Sequence, residues 1–341
     1  MKNKWLMLLG SIWLFCPILL LAQPIPVGTV LKTRDLPIHD PVMIKEGSTY
    51  YLFATGMGIS VFSSSDLKTW IKEAPVFAQA PAWAVDAVPG YKGHTWAPDI
   101  SYHNGQYYLY YSASAFGKNT SCIGLAVNKT LDPLSPDFKW VDLGKVVQSV
   151  PVRDQWNAID PNLIVDEASR PWLVFGSFWS GLKMVSLGDD FKTVNDRSTW
   201  YAVAARPRTG VASDTSAGNG AIEAPFIYNK DGYYYLFVSW DFCCKGPQSN
   251  YKVVVGRSKQ IHGPYLDRNG VSLQQHGGSL VAQGDATDWY AVGHNAVVQD
   301  GNRDLLLMHG YDRKDKGRSK LIIRVLQWDE SGWPSLGEDI K

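Results

Sequence analysis

Residues 39–55 read HDPVMIKEGSTYYLFAT, and this stretch decides the fold. A short apolar run, VMI, is followed by the polar turn KEGS and then by a second run, TYYLFA, that is rich in strand-forming residues. Two such runs joined by a short glycine-containing turn predict a β-hairpin. The residues His-Asp-Pro in front of the first run mark the point where that strand begins.

The same phrase occurs four more times along the chain. Every copy has an apolar strand, a polar turn and a second apolar strand, and four of the five copies carry proline at the third position. Their starts are separated by 57 to 71 residues, which leaves room for two more strands after each hairpin. Five four-stranded units predict an all-β fold, a five-bladed β-propeller. Two packed sandwiches, the alternative fold, would not predict one phrase five times. The other copies are WAPDISYHNGQYYLYYS (96–112), IDPNLIVDEASRPWLVFGS (159–177), EAPFIYNKDGYYYLFVS (223–239) and HNAVVQDGNRDLLLMHG (294–310).

Residues 1–22 have a different composition from the rest of the chain. They begin MKNK, continue with the apolar run WLMLLGSIWLFCPILLL and end at Ala22. This order is typical of a secretory signal peptide. A membrane anchor is the alternative, since about 20 apolar residues can cross a bilayer, but Pro17 and the small residue before Gln23 favour cleavage near Ala22. We therefore expect a secreted or periplasmic protein, with residues 23–341 as a single propeller domain.

The composition narrows the class of partner. The formal net charge is +1, and removal of the two lysines of residues 1–22 brings it to −1, which argues against a nucleic acid or an anionic membrane as partner. Twelve of the fourteen tryptophans lie beyond residue 22, and we expect most of them to pack in the core. Cys122, Cys243 and Cys244 do not form a zinc motif. They are interpreted either as idle thiols or, for the two neighbours, as a strained disulfide.

The start of each phrase predicts a functional site. The first strand of a propeller blade lines the central axis, so these starts converge at one end of the channel. Three of them carry a carboxylate, and crowded carboxylates on an apolar axis are costly and raise one another's pKa. A glycosidase needs one protonated and one ionised carboxyl group, whereas a purely structural ion cluster is the alternative. The first two positions read His39-Asp40, Trp96-Ala97, Ile159-Asp160, Glu223-Ala224 and His294-Asn295.

The segments HDP, WAPD, AIDPNL and IEAPF resemble the arabinanase branch of glycoside hydrolase family 43, over essentially the whole mature chain. The resemblance implies an inverting hydrolase of α-1,5-L-arabinofuranosidic bonds in arabinan, including the arabinan side chains of pectin. It implies that Asp40 is the general base, that Glu223 is the general acid, and that Asp160 orients the acid and raises its pKa. No cofactor is expected for the chemistry, and we expect a monomer.

The resemblance also implies a set of substrate-binding residues. Asp40 and Asp160 themselves contact the sugar, Trp96 forms an apolar floor, and the others line a subsite or the wall of the groove. Ordinary packing is the alternative for each aromatic residue. The remaining members of the set are Phe116, Gly117, Asn157, Ser177, Phe178 and Trp179.

A metal ion is a further implication of the resemblance. His294 matches a histidine that in relatives binds calcium or another ion on the channel axis, mostly through water. A lone imidazole is a poor ligand for calcium, so such an ion would depend on water and the surrounding carboxylates. His39 is expected to give hydrogen-bonding support.

Several other functions remain open as alternatives to arabinanase activity. Xylosidases and arabinofuranosidases share the fold, and cleavage inside the chain or from its end depends on loops such as residues 206–220. Fructan-acting propellers typically have arginine before the middle aspartate and cysteine after the glutamate, where this chain has Ile159 and Ala224. A non-catalytic sugar-binding propeller could lose a carboxylate, whereas all three are present here.

Overall fold

The computed structural model describes residues 25–195, 199–209 and 217–341. The predicted signal peptide, residues 1–22, lies outside the described residues, and so does part of the loop 206–220. Within the described ranges the chain forms 22 strands arranged in five antiparallel sheets. Of the helices in these ranges, none has the length and apolar character needed to cross a membrane. The predicted all-β, five-bladed propeller is confirmed.

Each sheet is one blade, and its strands follow one another from the axis outward. Two blades have an additional strand, at the outer edge of blade one and at the inner edge of blade two. Blade one consists of β1 (Val30–Lys32), β2 (Val42–Glu46), β3 (Thr49–Ala54), β5 (Ser60–Ser64) and β6 (Thr69–Lys72). Blade two consists of β4 (Gly56–Met57), β7 (His94–His103), β8 (Gln106–Ala113), β9 (Ser121–Asn128) and β10 (Val141–Ser149). Blade three consists of β11 (Asn162–Val165), β12 (Pro171–Phe175), β13 (Leu182–Ser186) and β14 (Tyr201–Ala204). Blade four consists of β15 (Ile222–Lys230), β16 (Tyr233–Trp240), β17 (Lys252–Ser258) and β18 (Ser279–Gln283). Blade five consists of β19 (Trp289–Asp300), β20 (Arg303–Asp312), β21 (Arg318–Trp328) and β22 (Pro334–Asp339).

Helical structure is sparse, as the sequence predicts. The α-helix of the described ranges, α1 (Ala82–Ala87), is six residues long and packs against blade two, where Cys122 is buried in the same apolar cluster. All three described cysteines are free thiols, so Cys243 and Cys244 are not bonded to each other. Short 3-10 turns occupy Thr33–Asp35, Gly246–Gln248, Leu273–Gln275 and Arg313–Asp315.

The innermost strands form a closed ring around the axis. Strands β2, β7, β11, β15 and β19 each contact the next, and β19 contacts β2. The segment between β1 and β2 joins blade five, because the Leu321 N–H donates to the Leu36 carbonyl at 3.0 Å. Apolar side chains fill the interfaces between blades, and one cluster contains residues of both blade one and blade five, Leu36 and Leu305 among them. The core therefore consists of layers between sheets, as expected for a propeller.

Every inner strand has a residue with positive φ, either just before the strand or at a register shift inside it. Such a φ is uncommon outside glycine, so its repetition at five equivalent positions identifies a structural device of the fold. Trp96 pairs with Ser112, Glu223 pairs with Ser239, and the corresponding pair in blade five is Gly293 with His309. The five residues are Asp40 (φ 55°), Ala97 (42°), Asp160 (56°), Ala224 (54°) and His294 (53°).

This equivalence corrects the predicted register of blade five. Its phrase begins at Gly293, one residue earlier than the sequence predicted, so His294 is the counterpart of Asp40 and Asp160. Asn295 stands where the other four blades have proline. The predicted register was wrong here because it was set by the position of the proline, which blade five lacks.

Candidate active site

The three predicted carboxylates meet at one end of the channel. Asp40 and Asp160 lie just before β2 and β11, and Glu223 is the second residue of β15. The Ala224 N–H donates to Asp160 Oδ2 at 3.1 Å, which places the blade-four strand against the blade-three carboxylate. Asp160 and Glu223 are buried, whereas the Asp40 side chain is 18% exposed. The positive-φ entry of each blade thus brings residues far apart in sequence to one site.

Two hydroxyl groups orient the carboxylate of Glu223. Tyr251 donates to Oε1 at 2.6 Å and Ser177 donates to Oε2 at 2.8 Å. Burial, together with the Glu223 charge, raises the pKa of the Tyr251 phenol well above its usual value, so Tyr251 remains a donor. Ser177 was predicted as a substrate-binding residue, whereas Tyr251 was missed. Its position directly before the third strand of blade four was the signal available in the sequence.

Asp40 is held in its ionised form. Thr55 donates to Asp40 Oδ2 at 2.5 Å, and His294 Nδ1 lies 3.0 Å from Oδ1. Burial opposes ionisation, but the His294 imidazolium outweighs it and holds the pKa of Asp40 well below its usual range. Burial also disfavours the charged form of His294, but Asp40 outweighs that effect and raises the pKa of His294 to about 9. The pair is therefore ionic at neutral pH, which suits Asp40 to accept a proton.

Asp160 binds a proton at neutral pH. Burial and the nearby charges of Glu223 and Asp40 raise the pKa of Asp160 to about 8, against the opposing effects of His294 and the Ala224 N–H. The two carboxyl groups also differ in their hydrogen bonds, since Glu223 accepts from two hydroxyl groups and Asp160 accepts from a backbone N–H. Asp160 and Glu223 thus form a pair that holds a proton opposite the ionised Asp40.

A set of side-chain acceptors fixes the backbone beneath these carboxylates. In four blades, the N–H of the positive-φ residue donates to a side chain at the end of the second strand of the preceding blade. Blade four differs because blade three has Gly176 at that place, with φ 131° and room so limited that a Cβ would lie 3.1 Å from the Gly181 oxygen. Asp160 supplies the missing acceptor. The four bonds are Asp40 to His309 Nδ1 (3.2 Å), Ala97 to Thr55 Oγ1 (2.9 Å), Asp160 to Ser112 Oγ (3.0 Å) and His294 to Ser239 Oγ (2.8 Å).

His309 is the one acceptor of this set that is not a hydroxyl group. Since its Nδ1 accepts from the Asp40 N–H, its proton is assigned to Nε2, which donates to the Tyr311 hydroxyl at 3.2 Å. Burial holds the pKa of His309 well below its usual value, so the ring is neutral. Tyr311 also accepts from the Cys244 N–H at 2.7 Å. This chain of bonds was not predicted, because it joins residues of three separate segments.

The predicted substrate-binding residues differ in how far they are exposed. Trp96 is half-buried, and its Nε1 donates to His94 Nδ1 at 2.9 Å. Phe116 is 81% exposed, and Gly117 (φ 71°) has open space around it. Asn157 is buried, and its Nδ2 donates to the Lys118 carbonyl at 3.3 Å, which ties its loop to that of Phe116.

Phe178 and Trp179 differ in what they can offer to a sugar. Both have positive φ, 54° and 42°, at the turn that follows β12. Phe178 is half-buried and packs against Phe242 with ring centroids 5.9 Å apart. Trp179 is only 3% exposed, so its ring belongs to the interior of the protein and presents little surface to a ligand. The packing alternative thus describes Trp179 better than Phe178.

The donors around His294 do not fit a calcium ion held directly by the protein. His39, Asp40 and His309 lie close enough for their ligand atoms to share one ion, but they offer two nitrogens and one carboxylate where calcium takes six to eight oxygens. His309 Nδ1 already accepts from the Asp40 N–H, and His294 Nδ1 is occupied by Asp40. The side chain of His39 packs against His309, with ring centroids 4.4 Å apart.

A propeller whose axis ends in one ionised carboxylate and a carboxyl pair that holds a proton has the site of a glycoside hydrolase. Comparison with known proteins identifies the family. Residues 35–334 match the model of glycosyl hydrolases family 43, and the chain belongs to this family.

Individual relatives cover nearly the same length. The chain is 48% identical, over 89% of its length and 88% of the relative's, to the extracellular exo-α-(1→5)-L-arabinofuranosidase of Cellvibrio japonicus. It is 44% identical to the extracellular endo-α-(1→5)-L-arabinanase 1 of Bacillus subtilis, over 87% of each chain. The crystal structure of Cellvibrio cellulosa α-L-arabinanase with arabinohexaose superposes with a TM-score of 0.85 at 48% identity, covering 89% of this chain and 96% of that one.

Proposed function

We propose that this protein hydrolyses the α-1,5-L-arabinofuranosidic bonds of arabinan, including arabinan side chains of pectin. The observation that carries the proposal is the ionised Asp40 placed with the proton-holding pair of Asp160 and Glu223 at the end of the channel. The activities named for the relatives from Cellvibrio and Bacillus support the same bond as the target.

The proposed reaction is a single displacement with inversion. Asp40 accepts a proton from the attacking water as its oxygen bonds to the anomeric carbon. Glu223 donates a proton to the oxygen of the leaving sugar as the glycosidic bond breaks. Asp160 orients Glu223 and supports its role as the acid, and Tyr251 with Ser177 fixes the carboxyl group that donates. An inverting site requires about 6.5–9.5 Å between base and acid carboxyls, which leaves room for the water.

The groove that receives the polymer includes Trp96, Phe116, Gly117, Asn157 and Phe178 in this proposal. The proposal is supported by the partial or full exposure of most of these residues and by the hydrogen bond that joins the loop of Asn157 to that of Phe116. The relatives include both exo-acting and endo-acting proteins. The target bond is the same in both modes, and product sizes distinguish them.

The test is a comparison of debranched arabinan, linear xylan and levan as substrates, with products sized by chromatography. Release of arabinose or arabino-oligosaccharides from arabinan alone is the expected result. Proton NMR of the first product should show an anomer opposite to that of the substrate bond. Retention of configuration would contradict Asp40 as a base, and faster release from levan or xylan would contradict the substrate.

We also propose that residues 1–22 direct export and are removed near Ala22. The pattern of charge and apolar residues supports this, and the relatives from Cellvibrio and Bacillus are extracellular proteins. Protein exported from a bacterial host should have an N-terminus near Gln23. A membrane-bound protein that still begins at Met1 would contradict it.

A calcium ion on the axis is proposed only in a water-mediated form. His294 would contribute one position, and water molecules would contribute most of the oxygens, because the protein donors do not fit the ion directly. Isothermal titration of chelated protein with Ca²⁺ tests the proposal. We expect saturable binding of Ca²⁺ to the wild type and none to His294→Ala. An absence of binding to the wild type would contradict the proposed site.

A further inference from the structure

A second cleft lies away from the axis, between the outer strand of blade two and the outer strands of blade three. Its volume is about 560 Å³, which is within the usual range of small-molecule sites. It is lined by side chains of β10, β13 and the segments that flank β11 and β14. None of the residues assigned to the active site lines it. The residues that matter for the argument are Lys145, Gln148, Arg153, Trp156, Lys183 and Trp200.

Two ammonium groups line the cleft. Lys183 Nζ donates to the Ser180 carbonyl at 3.2 Å, and Lys145 Nζ donates to Gln148 Oε1 at 2.6 Å. Among the described residues, no carboxylate forms an ion pair with either of them. The third cation of the cleft, Arg153, is already paired with Asp154 at 2.6 Å.

Of the two lysines, Lys183 gives the stronger evidence for an anion-binding site. An ammonium has three donors, and the structure shows one acceptor for it. Burial lowers the pKa of Lys183, and among the described residues no acid opposes that effect. Removing a charge from water without a partner costs free energy. An anion bound in the cleft would supply the missing partner and acceptors.

Two indole rings stand beside these charges. Trp156 and Trp200 are half-buried, with ring centroids 4.6 Å apart and planes tilted by 44°. The Nε1 of Trp200 is buried, and it has no hydrogen-bond partner within the described part of the chain. Indole faces pack against the apolar face of a sugar ring while their edges stay polar. Rings of this kind argue against a site for a bare inorganic anion.

We propose that this cleft binds an acidic sugar, a uronic acid residue of an anionic polysaccharide. The Lys183 and Lys145 ammonium groups receive its carboxylate, and the Trp156 and Trp200 rings receive the pyranose. A neutral sugar would supply neither cation with a counter-charge. Binding here would tether the enzyme to an anionic polymer and raise the local concentration of substrate carried on that polymer.

The experiment measures binding of tetragalacturonate to the mature protein by isothermal titration, with cellotetraose as the neutral pyranose control and sodium sulfate as the inorganic anion. We expect saturable binding of tetragalacturonate that weakens as salt is raised, and no binding of either control. Equal affinity for cellotetraose, equal affinity for sulfate, or no binding of tetragalacturonate would each overturn the proposal.

Three variants assign the binding to the cleft. Lys183→Met and Lys145→Met should each weaken tetragalacturonate binding about tenfold, because each removes a charge-assisted bond. Lys129→Met, which removes an exposed lysine outside the cleft, should bind as the wild type does. Lys145 is exposed, so its variant tests the site even where the Lys183 variant folds poorly. Unchanged binding by both cleft variants would overturn the proposal, whatever the activity on arabinan.

Discussion

At the level of single residues, Glu223 and Asp40 are held by different kinds of partner. Glu223 accepts from the two hydroxyl groups of Tyr251 and Ser177, while Asp40 is paired with the His294 imidazolium. Hydroxyl donors fix the orientation of a carboxyl group without adding a full positive charge beside it, whereas an ion pair with an imidazolium keeps a carboxylate ionised. The difference in environment supports an acid role for Glu223 and a base role for Asp40.

A comparison of leaving groups tests these two roles. Glu223→Ala should lower turnover of arabinan by about 10²–10⁴-fold, because the leaving alkoxide needs a proton. With a nitrophenyl arabinoside the loss should be much smaller, since nitrophenolate leaves without one. Asp40→Ala removes activation of water and should impair both substrates alike. The assignment fails if the two variants show the same loss on both substrates.

The raised pKa of Asp160 predicts a stability that depends on pH. The pKa of this group is about 8 in the folded protein against an ordinary value of 3.8. The folded state keeps the proton after the unfolded state has lost it, so the free energy of unfolding contributed by Asp160 falls as pH rises from about 4 to 8. Asp160→Asn keeps an acceptor for the Ala224 N–H but cannot ionise.

Thermal melting from pH 5 to pH 8.5 checks this prediction. The melting temperature of Asp160→Asn minus that of the wild type should increase steadily towards high pH, by several degrees in all, while activity is lost. Glu167→Gln, which changes an exposed acid on the β11–β12 turn, is the matched control and should show a constant difference. A constant difference for Asp160→Asn as well would show that this carboxyl ionises normally.

At the level of elements, the positive-φ residue of four of the five inner strands is held by the second strand of the preceding blade. The N–H of the positive-φ residue needs an acceptor, and the second strand of the preceding blade supplies it from Thr55, Ser112, Ser239 or His309. Positive φ is strained for residues other than glycine. These bonds therefore maintain the backbone geometry that points the carboxylates toward the axis.

Ser112→Ala tests the importance of one such bond. The change leaves the N–H of Asp160 buried without a partner, which should cost about 1–3 kcal/mol of the free energy of unfolding. It should also lower kcat, because Asp160 loses its fixed position. Ser258→Ala is the matched control, since it removes a bond to the Gln260 N–H in blade four, away from the carboxylates. Urea denaturation and steady-state kinetics measure both effects, and a kcat equal to that of Ser258→Ala would contradict the positioning role.

At the level of the whole molecule, the ring closes where the segment between β1 and β2 of blade one meets blade five. Leu36 is fully buried at this junction, and its carbonyl accepts from the Leu321 N–H. Arg34 adds an ion pair to Asp339 at 2.5 Å. Partly exposed ion pairs contribute little, so the apolar contact is the stronger part of the closure.

Leu36→Ala should therefore destabilise the protein by about 2–5 kcal/mol, as expected for a large cavity in a packed interior. Leu134→Ala is the control, because Leu134 is 90% exposed and its removal should change stability very little. Chemical denaturation followed by tryptophan fluorescence compares the two. Equal midpoints for both variants would show that the closure does not depend on this contact.

The repeated phrase by itself determined the class of fold, the number of blades and which three carboxylates meet at the axis, namely Asp40, Asp160 and Glu223. This was possible because proline and the alternating strands are local signals that recur once in every blade. The predicted register was wrong in blade five, where Asn295 stands in place of the marker proline and the repeat begins at Gly293 instead of His294.

Only the tertiary structure decided how the protons are distributed. The ion pair of Asp40 with His294, the donors Tyr251 and Ser177 on Glu223, and the acceptor role of His309 join residues from separate blades. A pKa depends on burial and on every charge and donor nearby in space, which sequence separation does not reveal. The cleft with Lys183 is likewise formed where two blades meet, so neither blade contains it alone.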